Sequence, residues 1–321
     1  MTPNPYFSII VPTYQRRDMV CEAVGALGRL SYDGPIEIIV VIDGSTDGTA
    51  PALAQLDCPF RMRVIEQENR GLAAARNRGA AEAAGDILLF LDDDLICEPD
   101  LVQQHARFQG EGADAVTGEI PIHPDSEPGL ITDKLATAAS YPRGSRLSAF
   151  DVYGGHLSIR KQLFQQVGGF DEQFHAGGYG GEDLDFGIRL IDRCEIRHNN
   201  AAVAWQKSLI GPSEHMKRAR QLAASDLRLI AKHPQVTAEL LAHRGAPAGG
   251  ETPLALRLSR LPVLPAIIGA AAASLAEVAR GTRFQSNPLL ARFYFAARSI
   301  AYWSGFETRA GTTILRNWRR G

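Results

Sequence analysis

The chain has 321 residues, 45% of them hydrophobic, and a formal net charge of −2, so it can bury a large core and is not a disordered segment. Its four cysteines, Cys21, Cys58, Cys97 and Cys194, are scattered with no Cys-x-x-Cys pair, which argues against a disulfide framework or a zinc site and fits a reducing cytoplasm. No secretory leader is expected, because residues 1–6 are polar and Pro-rich and the apolar run at 7–11 is too short. The charge is segregated: residues 252–321 carry ten arginines against Glu277 and Glu307 and no other charged residue, leaving the rest of the chain acidic.

In chain order, residues 7–11 read as a buried strand stopped by Pro12. A helix follows, with Asp18 as its cap and Val20, Ala23, Val24, Leu27 and Leu30 on one face. Residues 36–42 form a second strand that ends in Asp43. Gly44-Ser-Thr-Asp-Gly48 then turns into a helix over 49–56 with Asp47 or Thr46 as cap. A third strand covers 61–65, an Ala-rich helix runs from Asn69 to Ala84, and the apolar Ile87–Leu91 makes a fourth strand after the Gly85 breaker.

That fourth strand runs straight into Asp92, Asp93 and Asp94. If strand alternation persists, Asp92 and Asp94 share one side and Asp93 takes the other. Two readings are open. The carboxylates face water, or a divalent cation relieves their mutual repulsion. Alternating strands and helices predict a doubly wound α/β sheet whose ligands sit beyond the carboxyl ends of the strands, and Pro12, Asp43 and Asp92 to Asp94 all lie at such ends. The first turn, Pro12-Thr-Tyr-Gln-Arg-Arg-Asp18, has no glycine, so a dinucleotide fingerprint is missing, and there is no P-loop.

Taken together, Val11-Pro-Thr-Tyr14, Val40-Val-Ile-Asp-Gly-Ser-Thr-Asp-Gly-Thr49, Asn69-x-Gly71 with Ala75-Arg-Asn-x-Gly79, and Phe90-Leu-Asp-Asp-Asp94 resemble the family 2 glycosyltransferases of GT-A fold. The likeness continues through Gly154-Gly-His156, Ser158-Ile-Arg160, Val167-Gly-Gly-Phe-Asp-Glu172 and Gly180-Gly-Glu-Asp-Leu-Asp-Phe-Gly-Ile-Arg-Leu190. It implies a GT-A, Rossmann-like, mostly parallel sheet with an α-helical C-terminal appendage. Pro12, Thr13, Tyr14 and Asp43 would hold the donor nucleotide, with Asp43 accepting from the base and Arg76 or Arg70 near nucleotide or phosphate. Asp92 and Asp94 would be the Asp-x-Asp pair for Mn²⁺ or Mg²⁺ against the diphosphate, with Asp92 also reaching the nucleotide. Asp183 would be the catalytic base of an inverting transfer, and Glu182, Gly181 and His156 would line the acceptor.

Two positions depart from the family pattern. Ile42 stands where a first aspartate is usual, and is expected to point into the core. Ala201-Ala-Val-Ala-Trp-Gln206 lacks the His that many relatives carry there, which leaves His215 as the nearest substitute for a third metal ligand. In the helix that begins at Glu182, Arg189 lies at i+4 from Asp185 and explains that carboxylate structurally, with Leu184, Ile188 and Ile191 as the expected buried stripe. Phe170 is read as a packing anchor, and residues 129–148 as part of an acceptor wall.

The expected layout is a transferase domain over 1–245 with a donor half to residue 120, a linker at 246–253 and a basic helical region over 254–321. The apolar stretch 261–279 approaches spanning length, but Pro262, Pro265 and Glu277 interrupt it, so a packed or membrane-surface helix fits better than a span. Arginines interleaved with Phe and Tyr beyond residue 280 suit anionic headgroups, and no nucleic-acid module is evident. The expected activity is metal-dependent transfer from a UDP-, GDP- or dTDP-sugar to a glycan or lipid-linked acceptor in surface polysaccharide or glycolipid synthesis. The site would lie in the cytoplasm, with the protein peripheral at the inner face of the membrane. The rival readings are a nucleotidyltransferase and a non-catalytic nucleotide-sugar or glycan-binding protein.

Overall fold

The computed structural model describes residues 4–127, 131, 141–175, 180–207, 210–244, 258–261, 263–280, 287–306, 311 and 314. The expected linker at 246–253 and most of the 129–148 stretch lie outside them. The chain divides into two compact units, the first formed by residues 1–126, 138–175 and 182–208, the second by 127–137, 176–181 and 209–321.

The first unit is built on one eight-stranded sheet of order β3-β2-β1-β4-β7-β6-β8-β5. Its strands are β1 (Phe7–Thr13), β2 (Ile36–Asp43), β3 (Arg61–Gln67), β4 (Ile87–Leu91), β5 (Leu95–Cys97), β6 (Ala115–Glu119), β7 (His156–Arg160) and β8 (Ile196–Gln206). Strands β3, β2, β1 and β4 are parallel; β7 runs antiparallel to both β4 and β6, and β6 is parallel to β8. The helices between them are α1 (Arg17–Leu27), α2 (Thr49–Leu53), α3 (Leu72–Glu82), α4 (Leu101–Gly110), α5 (Lys161–Val167) and α6 (Glu182–Ile191).

Both sheet faces are covered over β1, β2 and β4, which is why these strands are buried along their whole length and mostly apolar, whereas the edge strand β3 is only half-buried and carries Arg61, Arg63 and Glu66. Ile9, Val11, Leu89 and Leu91 join Val20, Val24 and Leu27 of α1 in one core. Their alternate neighbours Ile10, Leu88 and Phe90 join Ala73, Ala80, Phe164 and Phe186 in the other. Ile42 is buried in the first core, as its apolar character requires. On the opposite face Phe170 lies 5.3, 5.7 and 4.7 Å from the rings of Phe90, Phe164 and Phe186. This cluster turns α6 so that Phe186 and Leu190 are buried while Ile191 is exposed, so the buried stripe differs from the one expected through Leu184 and Ile191.

Other boundaries also moved. Strand β1 continues through Pro12, because pairing with β4 ends at Ile10 and no ladder bond is lost on that side. Asp18 does not cap α1: it sits in the first turn, and the Arg17 amide donates instead to Asp47 Oδ2 at 2.9 Å. Asp47 also accepts from the Thr49 amide at 3.2 Å, so one carboxylate serves the starts of two helices.

The second unit contains α7 (Pro212–Lys232), α8 (Thr237–His243), α9 (Leu264–Ala279) and α10 (Pro288–Phe306) among its described residues. Tyr302 donates to Asp226 Oδ2 at 2.7 Å, and the Arg244 guanidinium grips both oxygens of the same carboxylate at 2.7 and 3.1 Å. Among the described residues no helix is long and apolar enough to cross a membrane.

Candidate active site

The carboxyl ends of β1, β2 and β4 meet at one sheet edge. There the loop after β1 is tied to the loop after β2: the Gln15 amide donates to Ser45 Oγ at 2.8 Å and its side-chain amide to Thr46 Oγ1 at 3.0 Å. Gln15 has a φ of +54°, a conformation that a non-glycine residue holds only when its surroundings fix it. Tyr14 is half exposed beside this turn, while Pro12 and Thr13 are buried. Asp43 is buried as well. Its Oδ1 accepts from Gln67 Nε2 and the Arg70 amide at 2.8 and 2.9 Å, and its Oδ2 from the Gly71 amide at 2.8 Å. Asp43 therefore pins the start of α3, and about one of a carboxylate's roughly four acceptor positions stays open.

The three aspartates after β4 do not alternate. The strand ends at Leu91 and the chain turns at Asp93 and Asp94, which brings these two to one guanidinium. Arg16 Nη1 lies 2.9 Å from Asp93 Oδ1 and 3.1 Å from Asp94 Oδ2, and Thr13 donates to Asp93 Oδ2 at 2.7 Å. Burial pushes the Asp94 carboxyl up to about 6, helped by the charges of Asp92 and Asp93 and opposed by Arg16. Arg16 carried no distinguishing mark in sequence; only the turn after Leu91 makes it the partner of this pair.

Asp92 faces the other way. Its Oδ1 accepts from Arg76 Nη2 at 2.8 Å, and its Oδ2 from the Tyr153 hydroxyl at 2.8 Å. Arg76, 1% exposed, reaches Asp183 Oδ1 with Nη1 at 2.8 Å, approaches Glu182 Oε1 at 3.4 Å, and lies 5.2 Å from the Phe170 ring centroid. The expectation that Arg76 faces nucleotide or phosphate is corrected: burial against Phe170 and three carboxylates commit its guanidinium to the protein. Burial alone disfavours its charge, yet Asp183, Asp92 and Glu182 outweigh this and hold it above its ordinary value. Burial pushes Glu182 up to about 7 and raises Asp183 too, with Arg76 pulling both down.

Backbone without side chains makes this junction possible. A Cβ on Gly155 would collide with Asp92 Oδ2, and one on Gly154 with Asp183 Oδ1. The Gly-Gly pair before β7 thus lets the sheet come within contact distance of both carboxylates. Gly181, just before Glu182, has a φ of +98°, and residues 176–179 of its loop lie outside the described residues. Asp185 is held by Arg189 at 2.7 Å, as the i+4 spacing predicts.

His156 is not an acceptor-lining residue. It is fully buried in β7, its Nε2 3.1 Å from His105 Nε2, while His105 Nδ1 lies 2.9 Å from Ser158 Oγ. Desolvation and the neighbouring His198 push it down to about 3, so the pair is neutral. His215, the expected substitute ligand, is engaged within the second unit. Its Nδ1 is 2.9 Å from the Tyr294 hydroxyl, which donates to Pro212 O, and its Nε2 accepts from Arg298 Nε at 2.9 Å.

The donor set at the sheet edge suits a hard divalent cation. Asp92 and Asp94 offer carboxylate oxygens, and the site gathers Asp92, Asp93, Asp94, Glu182 and Asp183 against Arg16 and Arg76, leaving an excess of negative charge. Among the described residues no group of three or more His, Cys, Asp or Glu is placed to hold an ion. Asp92 and Asp94, which bond different guanidiniums, would be the protein's ligands in a site of the kind that substrate phosphates and water complete.

The family model for glycosyl transferase family 2 matches residues 8–168, and one described as the N-terminal domain of galactosyltransferase matches 136–203. Validoxylamine A glucosyltransferase of Streptomyces hygroscopicus subsp. limoneus is 28% identical over 268 residues, covering 74% of this chain and 58% of that protein. The putative glycosyltransferase EpsH of Bacillus subtilis (strain 168) is 37% identical over 116 residues, 35% of this chain and 33% of that one. The chain spans less than two thirds of the length of these curated relatives. Among solved structures, S. aureus TarS 1-349 in complex with UDP aligns with a TM-score of 0.58 at 18% identity, over 98% of this chain and 92% of that one. The mannosyltransferase PcManGT from Pyrobaculum calidifontis, in complex with GDP-Man and Mn²⁺, aligns at 0.59 and 20% identity, over 92% and 86%. Both share its GT-A architecture, a mixed sheet dominated by parallel strands with a helical C-terminal part. With half its length matched by the family model, the chain belongs to glycosyl transferase family 2.

Proposed function

We propose that this chain transfers a sugar from a nucleotide-sugar donor to a hydroxyl of a glycan or lipid-linked acceptor, with inversion, in surface polysaccharide or glycolipid synthesis on the cytoplasmic side of a membrane. The observation that carries the reading is the junction at Arg76, which ties Asp92 of the sheet edge to Asp183 at the start of α6 through contacts of 2.8 Å each. A donor held at the sheet edge and an acceptor at α6 then meet across one buried cation.

In this reading Pro12, Thr13 and Tyr14 flank the base and ribose, the exposed Tyr14 ring offers a stacking surface, and the open acceptor position of Asp43 takes a base N–H. Asp183 accepts the acceptor proton as that oxygen bonds to the anomeric carbon and the bond to the nucleoside diphosphate breaks. Its carboxyl, raised by burial, is a stronger base than an exposed aspartate, and Arg76 beside it favours the ionised form. Glu182 and Gly181 border the acceptor. Arg76 and Tyr153 orient Asp92. Asp92 and Asp94 would hold Mg²⁺ or Mn²⁺, which when bound supplies charge neutralisation for the leaving diphosphate. The solved complexes of TarS with UDP and of PcManGT with GDP-Man and Mn²⁺ support a nucleotide-sugar donor and a divalent ion.

The test is a panel of UDP-, GDP- and dTDP-sugars incubated with purified protein, with and without Mn²⁺. Slow, metal-dependent release of nucleoside diphosphate is the expected result. Release of pyrophosphate would replace the reading with nucleotidyl transfer, and donor binding without any turnover would make the chain a binding protein.

A further inference from the structure

A globular helix normally turns one apolar stripe to the core and a polar face to water. Helix α9 does not. It packs Pro265, Gly269, Ala272, Ala273 and Ala276 inward, where it meets α7 and α10. Its outward face carries Ile267, Leu275 and Val278, which are 61%, 51% and 78% exposed, together with the small residues Ala266, Ala270, Ala271 and Ser274. Leu261 and Val263 extend this face at one end, 49% and 72% exposed. The one carboxylate on it among the described residues, Glu277, is paired with Arg280 at 3.4 Å, and Arg280 also meets Glu127. A second exposed stripe on α10 repeats the composition, with Leu289, Arg292, Phe293 and Ala296 facing out. Four turns of helix whose solvent side is mainly apolar, in a region otherwise rich in arginine, are not explained by packing within the unit.

We propose that the outer face of α9, assisted by the exposed residues of α10, seats this chain on an anionic lipid surface. Charge selects this occupant. Residues 252–321 hold ten arginines and two glutamates, and Arg260 and Arg292 are exposed beside the apolar faces. A second copy would bring Arg260 and Arg292 to the same rim and be repelled. An anionic headgroup layer is attracted by that rim, and the boundary beneath it accepts Ile267, Leu275 and Val278, the geometry of a helix lying in the interface plane. Pro265 in the first turn and the small residues between the anchors are compatible with shallow seating and no span. The inference is independent of the chemistry proposed for the sheet edge, so either can fail without the other.

The experiment is flotation of the full chain with vesicles of phosphatidylcholine containing phosphatidylglycerol, against vesicles of phosphatidylcholine alone, at low and high salt. The expected result is binding to the anionic vesicles that weakens with salt, together with a loss of about tenfold or more in the I267Q/L275Q/V278Q variant and a smaller loss in R260Q/R292Q. All five side chains are exposed or rim positions, and thermal unfolding checks that each variant keeps its fold. Should the triple variant fail to fold, Ile267→Trp replaces it, and the emission of the added indole is expected to shift to the blue on adding anionic vesicles. Absence of binding to anionic vesicles, binding unchanged by the triple variant, or an unshifted emission from the Ile267→Trp variant overturns the proposal. So does a dimer in lipid-free solution that the triple variant dissociates, since the face would then belong to a second copy.

Discussion

Replacing Arg76 with Met removes the cation that joins three carboxylates while keeping much of the side chain's volume over the Phe170 ring. Arg76 is 1% exposed and lies 2.8 Å from Asp92, 2.8 Å from Asp183 and 3.4 Å from Glu182. Breaking a buried pair by deleting one partner costs about 3–5 kcal/mol, because the remaining charge is left uncompensated. Asp92, at the rim of the junction, keeps its hydrogen bond from Tyr153, so the loss falls mainly on Asp183 and Glu182. The cost depends on pH in a definite direction. Burial already raises both carboxyls, Glu182 to about 7, and without Arg76 they rise further. The folded variant then binds more protons than the unfolded chain, and its stability falls as pH increases from the unfolded carboxyl range through the folded value. Urea unfolding followed by circular dichroism should show a destabilisation of about 3–5 kcal/mol at pH 8 and a clearly smaller one near pH 5. Arg76→Lys should recover only part of it, since one ammonium cannot span all three carboxylates. A loss below about 1 kcal/mol at pH 8, or the same loss at both pH values, would refute the claim that Arg76 is the buried link of the site.

Asp94→Asn should stabilise the ligand-free protein above pH 6 by on the order of 2–3 kcal/mol, the cost of ionising a carboxyl raised to about 6, with the gain shrinking as pH falls toward the unfolded aspartate range near 4 and vanishing below about pH 3, where both states are protonated. The same variant should lose metal-dependent donor binding by calorimetry; donor affinity that is identical with and without metal in the parent protein would remove the metal role. Asp183→Asn should leave donor binding intact and slow transfer by about a hundred- to ten-thousand-fold in a product-formation assay, and near-normal transfer would take the base role from it. For the neutral His105 and His156 pair, folded values lie below the unfolded one, so the folded state binds fewer protons and stability drops as pH falls below about 6.5. A His105→Leu/His156→Leu double variant should show a shallower acid decline between pH 6.5 and 4 than the parent, and an equal slope would assign that decline to other groups.

Much of the architecture was legible because it rests on local rules. A both-faces-apolar run such as Ile87–Leu91 has one good solution, a central strand covered on both faces, and the predicted limits match those observed, although its partner on one side, β7, runs antiparallel. The Asp185 and Arg189 pair follows from helical spacing alone. The family motifs singled out Asp43, Asp92, Asp94 and Asp183 from their place in the sequence, and the structure brings Asp92 and Asp183 to one guanidinium. Residues whose partners are far along the chain were not legible. Arg76 has no neighbour in sequence that marks it as buried; its partners Glu182 and Asp183 lie over a hundred positions away. Arg16 looks like an ordinary surface cation until the turn at Asp93 brings two carboxylates to it.

By itself the sequence determined the alternation of strands and helices, the carboxylates at the strand ends of one sheet edge and the segregation of positive charge into the last seventy residues, because periodicity, breakers and charge are properties of neighbouring positions. Tertiary structure alone decided that His156 is core, that Asp93 pairs with Asp94 instead of opposing it, and that α9 leaves an apolar face outward. Each of these depends on what another segment places within a few ångströms, through burial and charge pairing that no local pattern encodes.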